Sequence, residues 1–349
     1  GTQVYPNERL MPAPPWPPFR LYASADVRPV VSARGVESGL RMTDRLRRRD
    51  RETVDDFELL PHKGYAETHT LELDLGEFEG DDRVVLLLDG WIDYADSSAN
   101  VSARHAGASL LPPRLHVADG RGGWTEAAGR MGFPAGLPKT MSVDVSGLFP
   151  TPDHRVRIET NMRIYWDRAR VMIGGDDLPL VVRRIHATSA ELRHGGFPRP
   201  VTPDGRKPLA YDPANVARDG GWKAHVGTYT GFGEVAALLR EIDDALVTTR
   251  NGDEIELRFA SPGPPADGFQ RTYLLFADGF GKDMDPNSAA ATSLGPIPFH
   301  GMPYYPYGDE LAVPKRPVHD QPAPRYVRPS ADGLPGALPQ VLASRDDSR

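Results

Sequence analysis

The sequence predicts a mainly β fold: two β-sandwich, jelly-roll-like lobes with one or two short helices and extended proline-rich arms at both ends. Apolar and polar residues alternate with a period of two in many short segments, which is the pattern of half-buried strands. Turn residues separate these segments at roughly ten-residue spacing, as in β-sandwiches. Glycine and proline number 35 each in a chain of 349 residues, above the usual ~12% for the two together, which disfavours long helical bundles.

Residues 1–63 are expected to form an extended arm and one short helix. Seven prolines lie between positions 5 and 30, and proline is excluded from helix and sheet interiors. Aromatic residues lie among these prolines (Tyr5, Trp16, Phe19, Tyr22), which favours an arm that lies on a surface. Met42, Leu46 and the arginines between 45 and 51 indicate a surface helix within 37–50.

Residues 64–186 are expected to form the first β-sandwich. Thr68–Leu75 alternates cleanly, and Arg83–Leu88 is apolar enough for a buried strand. Asp119–Gly123 has the composition of a hairpin turn. The remaining predicted strands are Arg114–Ala118, Thr140–Val145, His154–Thr160, Tyr165–Ile173 and Leu180–His186.

Residues 187–300 are expected to form a second β-rich lobe with a helix over 232–244, where Val235, Leu238, Leu239 and Ile242 share one face. Asn251-Gly252 predicts a hairpin between two strands. Residues 301–349 are predicted to be a Pro/Tyr-rich tail without its own core. The predicted strands of this lobe are Ala190–Leu192, Trp222–Thr228, Ala245–Arg250, Glu254–Phe259 and Tyr273–Ala277.

Composition excludes several classes of function. The absence of cysteine rules out disulfides, thiolate metal sites and cysteine nucleophiles. A net charge of −7 disfavours nucleic acid as a partner. The longest apolar run, Val84–Leu88, is too short to span a membrane. The chain opens on Gly1 without a methionine or a signal peptide, so we expect it to be processed or cut from a longer protein.

No common catalytic signature is present, and no catalytic residue is predicted. Gly231–Ala236 imitates a dinucleotide-binding fingerprint, but it lacks a parallel βαβ context. A turn followed by a helix start is the favoured interpretation. His300, among prolines and tyrosines, is expected to be a hydrogen-bonded structural group.

The segment Asp89–Asn100 is acidic and aromatic and follows a predicted strand, where binding loops often lie. Its carboxylates suit a hard cation such as Ca²⁺, and rings beside carboxylates suit stacking against a sugar. A structural corner is the favoured alternative. Asn161–Asp167 places polar residues on one strand face, as a ligand surface or, preferably, an inter-domain ladder. The candidate ligand-binding residues are Trp91, Asp93, Tyr94, Asp96, Tyr165 and Asp167.

The segment Asp278–Ser288 resembles half of an EF-hand loop, but the glycine at its sixth position and the closing glutamate are absent. A plain Asx turn is favoured over a calcium loop. Ca²⁺ is the only cofactor that the sequence suggests. The candidate calcium ligands are Asp93, Asp96, Asp278, Asp283, Asp285 and Asn287.

Several segments in combination carry a family resemblance. They are the arm Val4–Tyr22, Gly90–Ser97, Met131–Thr140, Arg163–Asp167, Phe276–Asp283 and Pro298–Met302. Together they resemble the C-terminal region of bacterial FG-GAP/VCBS-repeat proteins of the cartilage-acidic-protein-like (ASPIC/UnbV) type, over about residues 4–310. The resemblance implies an extracytoplasmic protein (periplasmic, cell-surface or secreted) with a repeat propeller upstream, and it assigns no catalytic residues.

The sequence therefore predicts a non-enzymatic extracytoplasmic binding or assembly module, as a structural subunit of a larger repeat protein or of a surface complex. Its expected partners are other protein domains or subunits. The alternative is a carbohydrate-binding or carbohydrate-processing domain, with Asp93, Asp96 and Asp167 as its carboxylates. Glycoside hydrolysis would require two of these carboxyls at about 5–10 Å.

Overall fold

The structure is a computed structural model. It describes residues 1–11, 18–80, 82–128, 131–134, 137–175, 178, 180–218, 224–311 and 328–329. The predicted mainly β fold is confirmed. The chain divides into two compact units, unit 1 (1–181 and 202–210) and unit 2 (182–201 and 211–349). Trp16, Trp222 and most of the predicted tail lie outside the described residues.

Unit 1 is a β-sandwich of two antiparallel sheets with one added two-stranded ribbon. One sheet has five strands in the order β4-β5-β10-β7-β8, the second has four in the order β3-β11-β6-β9, and β1 pairs with β2. These strands are β1 (Gln3–Pro6), β2 (Leu21–Ser24), β3 (Asp26–Pro29), β4 (Ser32–Gly35), β5 (Tyr65–Asp74), β6 (Val84–Ile92), β7 (Arg114–Ala118), β8 (Trp124–Ala128), β9 (Lys139–Asp144), β10 (Arg155–Met162) and β11 (Ile164–Ile173).

The core of unit 1 lies between its two sheets. Alternate residues of β5 and β10, such as Leu73 and Ile158, pack with residues of β6 and β11, such as Leu86 and Val171, in one buried cluster. Since side chains alternate across a strand, the intervening residues of β5 and β10 lie on the outer face of the five-stranded sheet. β6 is buried along its whole length, because Tyr22 of the arm also packs on Val85 and Leu87.

The period-two pattern predicted the main strands of unit 1 correctly, and Asp119–Gly123 does connect β7 to β8. The predicted arm also contributes strands to the sandwich, since β3 belongs to the four-stranded sheet and β4 to the five-stranded sheet. The helix predicted within 37–50 is wrong: this segment forms turns. Met42 and Leu46 are buried in the sandwich core, so their burial, rather than a helical face, explains why they are apolar.

The helix of unit 1 is α1 (Ser97–His105), which the sequence analysis did not predict. Asp96 caps it, since its side chain accepts a hydrogen bond from the Ala99 backbone N–H at 2.8 Å. Ala99 and Ala103 are its buried residues, so it has little apolar periodicity to detect. Within the described residues, no helix is long and apolar enough to cross a membrane.

Unit 2 is built from small antiparallel sheets. A three-stranded sheet has the order β16-β12-β17, and β13 pairs with β14 and β15 with β18. Ala190 and Leu192 of β12 form a small core with Val235, Leu238 and Ala245. The strands are β12 (Ala187–His194), β13 (Phe197–Val201), β14 (Ala210–Ala217), β15 (Thr228–Tyr229), β16 (Gly233–Glu234), β17 (Asp253–Phe259) and β18 (Arg328–Pro329).

Several predictions for the second half of the chain are wrong. The helix predicted over 232–244 is reduced to a 3-10 turn, Ala236–Leu238. Val235 and Leu238 are buried, but Leu239 and Ile242 are 41% and 58% exposed, so only part of the apolar set faces the core. No strand forms over 180–186, 245–250 or 273–277. Of the strand predicted at 222–228, only Thr228 lies in a described strand.

The hairpin predicted at Asn251-Gly252 is half right. These residues do form a turn, and Gly252 has a φ of 87°, which suits glycine. The strand after the turn, β17, pairs with β12 and not with residues 245–250.

Candidate functional site

The acidic–aromatic segment of the sequence is a partly buried structural corner in the fold. Trp91 at the end of β6 is 7% exposed and stacks on Tyr165 of β11, with ring centroids 4.2 Å apart and planes at 9°. Phe57 packs edge-on against Tyr165. Burial raises the pKa of the Tyr165 hydroxyl, and the charge of Asp93 adds to this effect. Trp91, Asp93 and Tyr165 are therefore neighbours, whereas Tyr94 is 55% exposed.

The carboxylates of Asp93 and Asp96 make structural contacts. The Arg163 Nη1 atom donates to Asp93 Oδ2 at 3.2 Å. Asp96 caps α1 through one oxygen and accepts from Lys63 Nζ at 3.1 Å with the other. The carboxylates of Asp93 and Asp96, which the sequence offers as ligands of a sugar or a cation, thus each have a partner in the fold.

Asp167 lies two residues after Tyr165 on β11, within a β-bulge opposite β6. Its Oδ1 atom accepts the backbone N–H groups of Asp50 and Arg51 at 3.1 and 3.0 Å. Burial raises its pKa, although these two hydrogen bonds oppose the shift. Asp167 therefore anchors the turn segment that follows β4, and its contacts differ from those of Asp93 and Asp96.

The segment 278–288 in unit 2 is a series of Asx turns. Asp283 Oδ1 accepts from the Asp285 N–H at 3.2 Å and from Ser288 Oγ at 2.5 Å. Asp285 Oδ1 accepts from the Asn287 N–H at 2.8 Å. Among the described residues, no group of three His, Asp or Glu side chains is arranged to hold a metal ion. Calcium binding stays a prediction of the sequence.

Asp278 instead contacts His300. The His300 Nε2 atom lies 2.8 Å from Asp278 Oδ1, and Nδ1 lies 2.6 Å from Oδ1 of buried Asp244. The hydrogen bond with Asp244 is the main reason why the pKa of His300 is raised, and the charge of Asp278 adds to it. With both ring nitrogens occupied by carboxylates, His300 is placed to hold two segments together.

A second polar surface lies on the outer face of the five-stranded sheet of unit 1. We call this surface the arginine face and define it by five residues. In the register of the strands, Arg34 of β4 is opposite Glu72 of β5, and Glu72 is opposite Arg157 of β10. The five defining residues are Arg34, Glu72, Trp124, Arg155 and Arg157.

Glu72 is the centre of the arginine face. Its side chain is only 7% exposed, and it accepts hydrogen bonds from Arg34 Nε at 2.8 Å and Arg157 Nε at 2.9 Å. Arg155 Nη1 lies 3.8 Å from the same carboxyl. Burial alone would raise the pKa of Glu72, but the hydrogen bonds and charges of Arg34 and Arg157 outweigh it and lower the pKa. The carboxylate therefore fixes two guanidinium groups, those of Arg34 and Arg157, in one row across the strands, with Arg155 beside them.

Trp124 lies at the β8 end of this row. The guanidinium carbon of Arg157 is 4.1 Å from the indole centroid, and that of Arg155 is 5.7 Å away, within cation–π range. Arg155 is held by a two-point contact with Asp153, at 2.8 and 2.6 Å. Trp124 is positioned by the turn before it, where Asp119 Oδ1 accepts from the N–H groups of Arg121 and Gly123.

The turn before Trp124 is rich in glycine for a steric reason. Gly120 has a φ of 73°, and a Cβ there would lie 2.4 Å from the Thr151 methyl group. A larger residue would therefore push the turn away from the segment that precedes β10.

Two clefts open on the arginine face and meet at Arg155. The tryptophan cleft has a volume of about 510 Å³, and the β4 cleft has a volume of about 620 Å³. The tryptophan cleft is lined by Gly120, Gly122, Trp124, Thr151, Asp153 and Arg155, among others. The β4 cleft is lined by Ser32, Arg34, Arg41, Glu72, Asp74 and Arg155, among others.

The sequence does not predict this surface, because its residues come from four strands spread over more than a hundred positions. A signal was nevertheless present. In β10 the sequence Arg155-Val156-Arg157-Ile158 places two arginines on the face opposite the core. The arrangement combines guanidinium groups held by carboxylates, an indole ring and a glycine-rich turn, and these groups can bind a polar ligand.

Neither a family model, nor a curated protein, nor a solved structure matches this chain. The FG-GAP/VCBS resemblance therefore stays a prediction, and the function has to be argued from the residues themselves.

Proposed function

We propose that this protein is a non-enzymatic binding module and that the arginine face of unit 1 is its ligand surface. The observation that carries the proposal is the meeting of two clefts at Arg155, with Trp124 on one side and Arg34 and Arg41 on the other. Ligand sites in proteins are concave and combine an aromatic wall with a few placed polar groups. The acidic–aromatic loop is a weaker candidate, because Asp93 and Asp96 are engaged in structural contacts.

The arginines of this face are already held in place in the absence of a ligand. Glu72 and Asp153 hold Arg34, Arg155 and Arg157 before any ligand arrives, so binding costs little side-chain entropy at these positions. Arg41 makes no ion pair with any described residue and is exposed. Its guanidinium is free to contact a ligand in the β4 cleft.

The proposal is tested by ligand-induced stabilisation of the purified protein. A panel of neutral polysaccharides, acidic polysaccharides and acidic peptides is screened for an increase in the melting temperature, since binding to the folded state stabilises it. Arg41→Glu and Trp124→Ala should each reduce the increase, measured against the melting temperature of the same variant alone.

Arg48→Glu is the matched control, because Arg48 is another exposed arginine of unit 1 that lines neither cleft. We expect this control to keep the full ligand effect. The proposal is wrong if no member of the panel binds, or if binding is indifferent to both cleft substitutions.

A second function, assembly through unit 2, is favoured by an exposed apolar segment. Tyr273, Leu274, Leu275 and Phe276 are 67%, 46%, 73% and 58% exposed, and contiguous apolar surface of this kind marks interaction sites. Among the described strands of the same unit, β17 lies at the edge of its sheet, and free edges accept added strands. We take the occupant of that edge to be the 273–277 segment of a second copy, because its sequence favours a strand.

This assembly is tested by the oligomeric state of the full chain. Leu275→Lys should shift the mass measured by sedimentation from dimer to monomer at micromolar concentration. Leu180→Lys is the control, since Leu180 is also exposed, at 43%, but lies outside the segment. A monomeric parent protein, or a dimer that survives Leu275→Lys, overturns this second function.

We also propose that the protein lies outside the cytoplasm and has an upstream propeller as a partner. Both of these proposals rest on the FG-GAP/VCBS resemblance alone.

A further inference from the structure

We infer that the ligand of the arginine face is a polysaccharide that carries carboxylate groups, with an acidic sugar in the β4 cleft and a neutral sugar in the tryptophan cleft. The inference rests on the proposed function and adds the chemical class of the ligand. It follows from the different chemistry of the two clefts.

The β4 cleft is the anionic subsite. Three arginines line it (Arg34, Arg41, Arg155), against the carboxylates of Glu72 and Asp74. Glu72 is buried beneath the surface and saturated by arginine. Asp74 accepts the N–H of Gly76 at 2.9 Å. Arg34 is paired with Glu72 and Arg155 with Asp153. Arg41 has no ion pair among the described residues, so its charge is available to one carboxylate of a ligand.

Arg34 and Arg41 are the groups that would bind this carboxylate. They are paired across a β-bridge of the backbone, so both side chains start from adjacent positions. Arg34 is 51% exposed and makes no ion pair other than that with Glu72 among the described residues. A planar guanidinium binds carboxylates in a two-point geometry.

The tryptophan cleft suits a neutral sugar. Its arginines are already occupied, Arg155 by Asp153 and Arg157 by Glu72. What remains is the indole of Trp124, the hydroxyl of Thr151 and the backbone of a glycine-rich turn. Hydroxyl groups of a sugar can donate to and accept from such groups without bringing a charge.

The two subsites adjoin, because Arg155 lines both clefts. Arg41 belongs to the β4 cleft alone and Trp124 to the tryptophan cleft alone. A ligand that contacts both of these side chains has to enter both clefts, as a chain of two or more sugars can.

An acidic peptide is the main alternative ligand, and the strands beneath the two clefts argue against it. Strands β5, β10 and β7 are each paired on both sides, so a bound peptide would find no free backbone groups there. Peptides that bind sheets usually do so at a free edge. The contacts available on the arginine face come from side chains and from the turn before Trp124, which a chain rich in hydroxyls and carboxylates can use without pairing to a strand.

The inference is tested by calorimetric titration of the full chain with three probes. They are polygalacturonate, the same polymer with its carboxylates methyl-esterified, and poly-glutamate of similar length. We expect polygalacturonate to bind about tenfold more tightly than either of the others, because only it combines carboxylates with sugar rings. Raising the salt concentration should weaken binding only modestly, since few charges are paired.

Three variants separate the subsites. Arg41→Glu should abolish the preference for polygalacturonate over the esterified polymer and leave binding of the esterified polymer unchanged. Trp124→Ala should weaken both polymers by a similar factor. Arg48→Glu, outside both clefts, should change neither, although it alters the net charge by the same amount as Arg41→Glu.

The outcomes distinguish the class of ligand from the site. Equal binding of the esterified polymer by the parent protein, still sensitive to Trp124→Ala, overturns the acidic-sugar inference and leaves the arginine face as a binding surface. Tighter binding of poly-glutamate replaces the polysaccharide with an acidic peptide. Absence of binding by polygalacturonate, or binding that Arg41→Glu does not affect, overturns the inference outright.

Discussion

The two units of this protein differ most in how their β-structure is stabilised. In unit 1, two sheets enclose a cluster of 26 buried apolar residues among the described ones, whereas the main cluster of unit 2 contains five. Unit 2 also leaves Tyr273 and Leu275 more than 65% exposed. A sandwich with a continuous core can present charged and aromatic side chains on its outer face. A lobe with a small core depends on local turns and, as we propose, on a second chain.

The largest effect should separate the two cores. Leu86 of β6 and Leu192 of β12 are both fully buried on interior strands, so they form a matched pair. We expect Leu86→Ala to destabilise unit 1 by about 4 kcal/mol and Leu192→Ala to destabilise unit 2 by about 2 kcal/mol, since the smaller cluster can collapse around the cavity. Hydrogen exchange detected by mass spectrometry measures the protection of each unit separately. If either variant reduces protection equally in both units, the two units unfold together and the comparison fails.

The second test compares a buried glutamate with a partly exposed one, each paired with arginines. Glu72→Gln should cost unit 1 about 3 kcal/mol, because it leaves arginines beside a buried group that no longer carries charge. Glu256→Gln in unit 2 should leave the denaturation midpoint nearly unchanged, since its partners Arg193 and Arg258 are 48% and 72% exposed and exposed pairs contribute little. Urea denaturation of the two variants gives the result. A comparable loss from Glu256→Gln would mean that ion pairs, and not apolar contacts, support unit 2.

The pH dependence of the Glu72 contribution has a definite sign. Its pKa is lower in the folded state than in the unfolded chain, so its contribution is present above the unfolded pKa of about 4.3. It is lost as the pH falls through the folded value. The difference between the parent protein and Glu72→Gln should therefore shrink in acid.

The third effect is that of the cap of α1. Asp96→Ala removes the acceptor for the Ala99 N–H and should destabilise unit 1 by about 1 kcal/mol. Asp96→Asn keeps an acceptor at the same position and should recover most of this loss. Thermal unfolding monitored by circular dichroism measures both. If the two substitutions are equally costly, the contact with Lys63 and not the cap accounts for the role of Asp96.

The sequence predicted unit 1 better than unit 2, and the reason is physical. Leu71, Leu73 and Leu75 alternate with polar residues because one face of β5 is buried by another sheet, and a period of two records that burial directly. Val235, Leu238, Leu239 and Ile242 have helical spacing, yet only the first two are buried. The spacing of apolar residues predicts secondary structure poorly where the core is small and few long-range contacts bury those residues.

The candidate site shows the same limit. Asp93 and Asp96 were selected because local sequence placed carboxylates beside rings, but Arg163 and the start of α1 account for them. The arginine face depends on the order β4-β5-β10-β7-β8, which a sequence pattern does not specify. The strands were predictable, and their neighbours were not.

The fourth effect is a pair of opposite pH responses. The contact with Asp244 raises the pKa of His300 in unit 2, so this stabilisation is complete below the unfolded pKa of about 6.5 and is lost as the pH rises through the folded value. Burial lowers the pKa of His69 in unit 1, where a hydrogen bond with the Glu67 carbonyl only partly compensates. Its contribution is present above pH 6.5 and is lost as the pH falls through the folded value.

Hydrogen exchange between pH 5 and 9 should therefore show unit 2 weakening and unit 1 strengthening as the pH rises. His300 is 41% exposed, so solvent limits its effect to at most about 1 kcal/mol. His300→Gln should flatten the response of unit 2 and leave that of unit 1 intact. A parallel response in both units, or a slope in unit 2 that survives His300→Gln, would contradict the assignment.

The smallest effect concerns calcium and compares one acidic loop from each unit. Asp93 in unit 1 is paired with Arg163, and Asp283 in unit 2 accepts from Asp285 and Ser288. A cation at either loop would have to displace these contacts and gather several oxygens around itself. Millimolar Ca²⁺ should thus change the melting temperature of either unit by less than about 1 °C, because weak binding at a concentration near Kd contributes only a few tenths of a kcal/mol. A larger rise that chelator reverses, and that Asp93→Ala or Asp283→Ala removes, would establish the calcium site that the sequence suggested and would identify the unit that holds it.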